Sequence, residues 1–386
     1  MRKPIFFFMA LALCLFAVAQ QITHEASVIN IEVPVRVFDG MKFIDHLTIN
    51  DFEVYENGKL QDVVAVYLIR KTTVERKTEK PERTTEKAKA TVAPDVSRNF
   101  ILLFNVTDYL KKIDEVLDYF FNSVLQPGDT VRAVTPLKTY SLNKKALDGA
   151  SRQEIKDRLK RILRKDIIAA GSDYRSFYQQ IETIAETEGF EGDLKRNMCM
   201  ELLSKMKELN CVDEPKLLEI ADKLKRIEGQ KIVFLFYQKE ALPIPPFMKD
   251  DPMSLIQLKK DISFDVEPIK RAFSDSSITI NFIFLTNKPS NEDNIHRVAI
   301  SEMTMQDNSS EIFKAFTVLA RTTGGLTESG ANAASAFKRA VDASENYYLL
   351  YYHPAGYKKD GKFKEIEVKV KNRNYTLTHR AGYVAD

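Results

Sequence analysis

Apolar positions follow three successive rhythms along the chain. Residues 28–37, Val-Ile-Asn-Ile-Glu-Val-Pro-Val-Arg-Val, alternate apolar with other side chains, as a half-buried strand does. Pro34 has no N–H for a ladder, which points to an edge or a bulge. Asp39-Gly40 and Asn57-Gly58 mark turns, Phe52-Glu-Val-Tyr and residues 62–69 are further strands, and together they predict a small β unit. Past Ser97 the rhythm changes. Residues 100–106 are continuously apolar, fit for a buried strand, residues 109–125 have helical spacing, and Pro127-Gly128-Asp129 turns into a strand over 130–135. Helices are predicted over 152–163, 172–186, 266–273, 310–321 and 333–343, with strands over 231–237 and 277–285 and a charged helical hairpin within 190–228. Alternating strands and helices predict an α/β fold with a doubly wound, mostly parallel sheet. The third rhythm returns to strands over 347–352, 363–370 and 375–379. Two or three strands alone are marginally stable, so the β segments at the two ends are expected to pool into one small antiparallel β domain.

Between the first two rhythms, residues 71–97 are dominated by Lys, Glu, Thr and Arg and read as a solvated linker. The expected organisation is a signal peptide over 1–19, an N-terminal β segment over 20–70, the linker, an α/β domain over 98–345 and a C-terminal β segment over 346–386. The start carries Met1-Arg2-Lys3, an apolar run over 5–18 and Ala17-Val18-Ala19 before Gln20-Gln21, the pattern of a cleaved secretory signal. Export to periplasm, cell surface or medium is therefore expected, with an uncleaved N-terminal anchor as the alternative. Cys14 falls in the discarded apolar region.

Downstream, no stretch approaches the roughly 20 apolar residues of a membrane span, so none is expected in the mature chain. The formal net charge is only +3 over 386 residues, which gives no footprint for nucleic acid. Cys199 and Cys211 remain after cleavage. On one straight helix they would stand about 18 Å apart, so a disulfide requires a break near Asn210; a free, buried pair is the other reading.

Several segments, in order, carry a family likeness. They are Val33-Pro-Val-Arg-Val-Phe-Asp-Gly, Leu47-Thr-Ile-Asn-Asp-Phe-Glu-Val-Tyr-Glu-Asn-Gly, Leu319-Ala-Arg-Thr-Thr-Gly-Gly, Tyr347-Tyr-Leu-Leu-Tyr-Tyr-His-Pro, Asp360-Gly-Lys-Phe-Lys-Glu-Ile-Glu-Val and Arg380-Ala-Gly-Tyr. The chain resembles the exported von Willebrand factor A-related proteins abundant in acidobacteria. That resemblance implies a central von Willebrand factor A domain between two β segments. It also implies a metal-ion-dependent adhesion site at the carboxyl ends of the strands, with the pattern Asp-x-Ser-x-Ser, a Thr from a later loop and an Asp after the fourth strand.

Here the matching stretch is Asn105-Val106-Thr107-Asp108-Tyr109, the later loop is Ala170-Gly171-Ser172, and the fourth strand ends Phe236-Tyr237-Gln238-Lys239-Glu240. Asn105 keeps an oxygen without the charge, Thr107 and Ser172 keep hydroxyls, and Lys239 brings the wrong sign. Affinity for hard cations depends on carboxylate count, so no metal or other cofactor is expected. The alternative is Mg or Ca in a shifted site using Asp108, Asp173 or Glu240. Without metal, Asn105, Thr107, Tyr109, Ser172, Tyr174 and Tyr237, with Phe177 nearby, are the candidate interaction face; for the aromatic members ordinary packing is an equal alternative.

Enzyme signatures are missing from the sequence. The five histidines, His24, His46, His296, His353 and His379, have no zinc spacing, no nucleophile elbow or phosphate loop occurs, and Thr323-Gly324-Gly325 reads as a helix stop. Asn105-Val-Thr, Asn308-Ser-Ser and Asn374-Tyr-Thr match a glycosylation pattern frequent by chance. Tyr347, Tyr348, Tyr351 and Tyr352 suit a strand covered on both faces. The expectation is a non-catalytic exported module binding another protein or a surface polymer, with a metal-dependent adhesin and a structural envelope scaffold as alternatives. The sequence sets no oligomeric state.

Overall fold

The computed structural model describes residues 29–40, 42–77, 94–142, 149, 151–189, 191–209, 214–249, 256, 258, 265–286, 303–307 and 309–386. The signal segment, residues 78–93 of the expected linker, Cys211 and Asn308 lie outside the described residues. The first strands are β1 (Ile31–Asp39), β2 (Lys42–Phe43), β3 (Phe52–Glu56), β4 (Lys59–Gln61), β5 (Val63–Arg70) and β6 (Thr73–Arg76). The middle of the chain forms β7 (Arg98–Asn105), α1 (Lys111–Tyr119), β8 (Thr130–Val134), β9 (Thr139–Leu142), α2 (Arg152–Ala170), α3 (Ser172–Glu186), α4 (Gly192–Leu209) and α5 (Glu214–Lys225). It continues through β10 (Gln230–Gln238), β11 (Ala241–Ile244), α6 (Val266–Asp275), β12 (Ile278–Leu285), β13 (Thr304–Asp307), α7 (Ser310–Thr322), β14 (Thr327–Gly330) and α8 (Ala333–Ser344). Strands β15 (Asn346–Tyr352), β16 (Phe363–Val370), β17 (Thr376–His379) and β18 (Gly382–Val384) complete it.

The central sheet has the order β14-β12-β10-β7-β8-β9. Side chains alternate across it, as strand geometry requires. Phe100, Leu102, Phe104, Phe234 and Phe236 enter one core with α1, α2 and α8, while Ile101, Val233, Leu235 and Tyr237 enter another with α5, α6 and α7. Helix α1 presents Ile113, Val116 and Leu117 at helical spacing, and α2 is capped by the Ser151 hydroxyl accepting from Glu154 N–H. The helices within 190–228 turn to different partners. Cys199, Leu202, Leu203 and Met206 of α4 pack with Tyr174 and Ile181 of α3, whereas Ala221 and Leu224 of α5 lie under the sheet.

This architecture corrects the expected doubly wound, mostly parallel sheet with a small appended β domain. The central sheet is mixed: β9 runs antiparallel to β8, while the other four pairings are parallel. The cause is local. Only Thr135, Pro136, Leu137 and Lys138 separate β8 from β9, too few for a parallel crossover, and the turn is tied by Thr135 Oγ1 accepting from the Leu137 and Lys138 N–H groups. The antiparallel part is also large, with a six-stranded curled sheet, β17-β1-β15-β5-β6 with β2 on β1, and a four-stranded sheet, β18-β16-β3-β4.

Strand β15, from the end of the chain, lies between β1 and β5, from its beginning. Its Tyr348, Leu350 and Tyr352 enter the core shared by the two antiparallel sheets, while Tyr347, Leu349 and Tyr351 enter a separate cluster on the other side. Pro34 stands one residue before β17 begins to pair with β1 at Val35, so its missing N–H leaves that ladder intact. The first residues of the charged stretch form β6, an exposed edge strand on β5.

Candidate functional site

Five parallel strands end on the same side, and the loops leaving β7, β8 and β10 meet there with α2 and the α2–α3 junction. In such sheets the carboxyl ends of the strands are where ligands bind. Asn105 ends β7 in register with Tyr237 on β10. The next turn is held by one side chain. The Gln238 amide oxygen accepts from Thr107 N–H at 3.0 Å, Thr107 Oγ1–H at 3.2 Å and Asp108 N–H at 3.1 Å. Gln238 is the polar residue that follows the apolar run Ile232–Tyr237 at the end of its strand, and it is itself buried.

A cation stands beside this clasp. Arg175, in the first turn of α3, has Nη1 3.5 Å from Asp108 Oδ1 and 3.5 Å from the Thr107 carbonyl, and Nη2 donates to the Ile168 carbonyl. Gly171 permits the approach, because a Cβ there would lie 2.1 Å from Thr107 O. Ser172 is close in sequence, but among the described residues its hydroxyl faces Asp173, at a weak 3.4 Å.

The aromatic candidates divide. Tyr237, 1 % exposed, packs among Phe282 and Phe316, and its hydroxyl donates to the buried Glu240 carboxylate. Tyr174, 6 % exposed, donates to Ala241 O at 2.9 Å in the core it shares with α4. Neither ring is free to touch a partner. Phe177 is partly buried in that same core. Tyr109 is half-buried and donates to Asp114 at 2.7 Å; burial, and then the Asp114 carboxylate, hold its phenol well above the ordinary range, so it remains a neutral donor. The exposed apolar side chains at this end are instead Leu137, in the β8–β9 turn, and Ile168, near the end of α2, at 52 % and 45 % exposure.

No protein-family model and no curated protein matches the chain. The chemistry of the site therefore rests on its own geometry. A hard divalent cation would need several oxygens facing it, but the Gln238 oxygen is turned onto N–H and O–H donors and Asp108 faces a guanidinium. Glu240 is engaged by Tyr237, and Lys239 pairs with Asp307 at 2.7 Å. Of the three carboxylates in the shifted arrangement, Asp108 and Glu240 are thus turned onto Arg175 and Tyr237. Among the described residues no three His, Cys, Asp or Glu side chains cluster to hold a metal. Cys199 is buried and free, with burial pushing its thiol up to about 11. No helix among the described residues is long and apolar enough to cross a membrane.

Asn105, Thr107 and the Gly171–Ser172 junction are thus neighbours, as a shared loop cluster requires. Sequence reasoning missed Gln238 and Arg175 as its organisers. The available signals were an amide directly after the apolar run of a central strand and an arginine one turn into the helix after Gly171.

Proposed function

We propose that the chain is a non-catalytic, exported interaction module that engages another protein or a surface polymer through this end of the central sheet, without a metal ion. The observation that carries the reading is the Gln238 clasp with Arg175 beside it. Internal donors and an internal cation fix the loop after β7, doing the positioning that a bound cation would otherwise supply, and the loop is held ready beside exposed Leu137 and Ile168. Preformed loops with exposed apolar anchors bind at a smaller ordering cost than flexible ones. The motif resemblance to exported von Willebrand factor A-related proteins points the same way.

The test is capture of partners from envelope extract on the immobilised chain from residue 20 onward, with and without chelator, beside the L137D/I168D variant. Surface substitutions of this kind change stability by about 0.5 kcal/mol or less. The expected result is chelator-insensitive capture that falls at least about tenfold in the variant, the scale of an interface hot spot. Capture that vanishes with chelator would favour a metal-dependent adhesin. Hydrolytic activity abolished by Asp108→Ala would end the non-catalytic reading.

A further inference from the structure

A second concavity lies in the antiparallel part of the molecule. The end of β16, the turn into β17 and one residue of β3 enclose about 440 Å³, lined by Lys369, Lys371, Asn372, Arg373 and Tyr375 with Glu53 opposite and Val368, Val370 and Leu377 as apolar wall. That volume is in the range of ligand sites, about 300–1,000 Å³.

Its charges are unbalanced. Three cations and one carboxylate line it, and even with Lys369 paired to Glu367 outside the cleft the local excess is one positive charge (3 − 2). Glu53 already accepts a hydrogen bond from the Tyr55 hydroxyl at 2.8 Å. Lys369 lies 4.4 Å over the Tyr55 ring and 3.3 Å from Glu367, in a pair whose side chains are both about half exposed and therefore weak. Lys371 and Arg373 are exposed and make no side-chain hydrogen bond or ion pair among the described residues. Like charges crowded on one short hairpin repel one another, and an anion seated among them relieves that repulsion. Asn372 Oδ1 accepts from Asn374 N–H, which leaves the Asn372 amide N–H groups available as donors.

We propose that this cleft binds the acidic sugar units of an anionic polysaccharide. A uronate carboxylate would lie on Lys371 and Arg373, whose guanidinium suits two-point contact with a carboxylate. Ring hydroxyls would meet Asn372, and the sugar's C–H face would rest on Tyr375 and Leu377. An oligoglutamate would use only the cations, and stacked nucleobases need an open ring face, whereas Tyr375 is partly buried against the core. The apolar wall and free amide beside the cations match the mixed surface of an acidic sugar.

Calorimetry of the full chain with a galacturonate hexamer, a glutamate hexapeptide and a short single-stranded oligonucleotide, at low and moderate salt, tests this. Expected is binding of the galacturonate hexamer that weakens at least tenfold in K371E/R373E and several-fold in Asn372→Ala. L137D/I168D should leave it unchanged, which keeps this site separable from the strand-end face. All these substitutions are at exposed positions, and an unchanged melting temperature confirms intact folding. No galacturonate heat at low salt, equal binding of the hexapeptide or the oligonucleotide, or full affinity in the K371E/R373E variant would each overturn the proposal.

Discussion

Gln238 shows how one side chain can organise a loop 131 residues away in sequence. Gln238→Leu keeps the volume but leaves the Thr107 and Asp108 N–H groups without that acceptor. Hydrogen bonds of this part-buried kind contribute about 0.5–1.5 kcal/mol each, so the urea midpoint is expected to fall accordingly, whereas Gln238→Glu, which keeps an acceptor oxygen, should fall less. An unchanged midpoint in Gln238→Leu would show that the clasp contributes nothing. His379 offers a second test at this scale. Its Nε2 faces Val368 N–H at 3.4 Å and its Nδ1 the Arg380 carbonyl at 2.9 Å, an arrangement that suits the neutral ring with its proton on Nδ1. Burial holds its pKa below the ordinary 6.5, with the Arg380 carbonyl and Glu367 opposing. The neutral form is therefore favoured in the folded state. The contribution is present in full above about pH 6.5 and is lost as pH falls from there through the depressed folded value, with a slope of at most about 1.4 kcal/mol per pH unit. Urea midpoints measured from pH 8 to 5 should drop more steeply for the native chain than for His379→Gln; parallel curves would refute the assignment. Asn105, Thr107 and Gly171 were legible from residue type and order. Gln238 and Arg175 were not, because what distinguishes them is a distant partner. Tyr174 and Tyr237 show the converse, since an aromatic near a strand end looks the same whether its ring faces solvent or the core.

Elements buried on both faces announce themselves, because most of their successive positions are apolar. Strands β7, β10 and β12 are of this kind, and their continuous runs are plain in the sequence. Strands β6, β9, β11 and β13 gave no comparable signal. Thr73–Arg76 is wholly exposed, Thr139–Leu142 half so, and Ala241–Ile244 contains Pro243. Their pairing is decided by the neighbour that each finds: β5 for β6, β8 for β9, and β11 and β13 for one another. The β8–β9 hairpin matters most for the site, since it turns the sheet mixed and carries exposed Leu137 to its rim. Helices α4 and α5 illustrate a related limit. Period 3.6 identified both, yet their apolar faces serve different cores, and periodicity names a buried face without naming what buries it.

Across the whole molecule, the two ends of the chain depend on each other. Strand β15 fills the centre of the six-stranded sheet, and the Tyr351 hydroxyl donates to Glu32, 319 residues away. The same junction is tied to the central sheet by buried cations. Arg36 donates to the Gly324 and Ser344 carbonyls and Arg380 to Ser277 Oγ, with burial lowering the Arg36 guanidinium to about 10. Contacts of such long separation form late, because the loop they close must be ordered before they repay it. A chain ending after Glu345 would lack β15 to β18. Strand β1 would then keep only β2, β5 only β6, and β3 only β4, and an isolated two-stranded pair is marginal in water. The core around Val33, Val35, Val54, Val66 and Leu68 would lose Tyr348, Leu350, Tyr352, Ile366, Val368 and Tyr383. Hydrogen exchange on that truncated chain should show β1, β3 and β5 exchanging at rates near those of an unfolded chain. In the full chain the same amides should be among the slowest. Protection retained in the truncated chain would mean that the N-terminal strands hold one another without the C-terminal ones, and the two ends would not depend on each other.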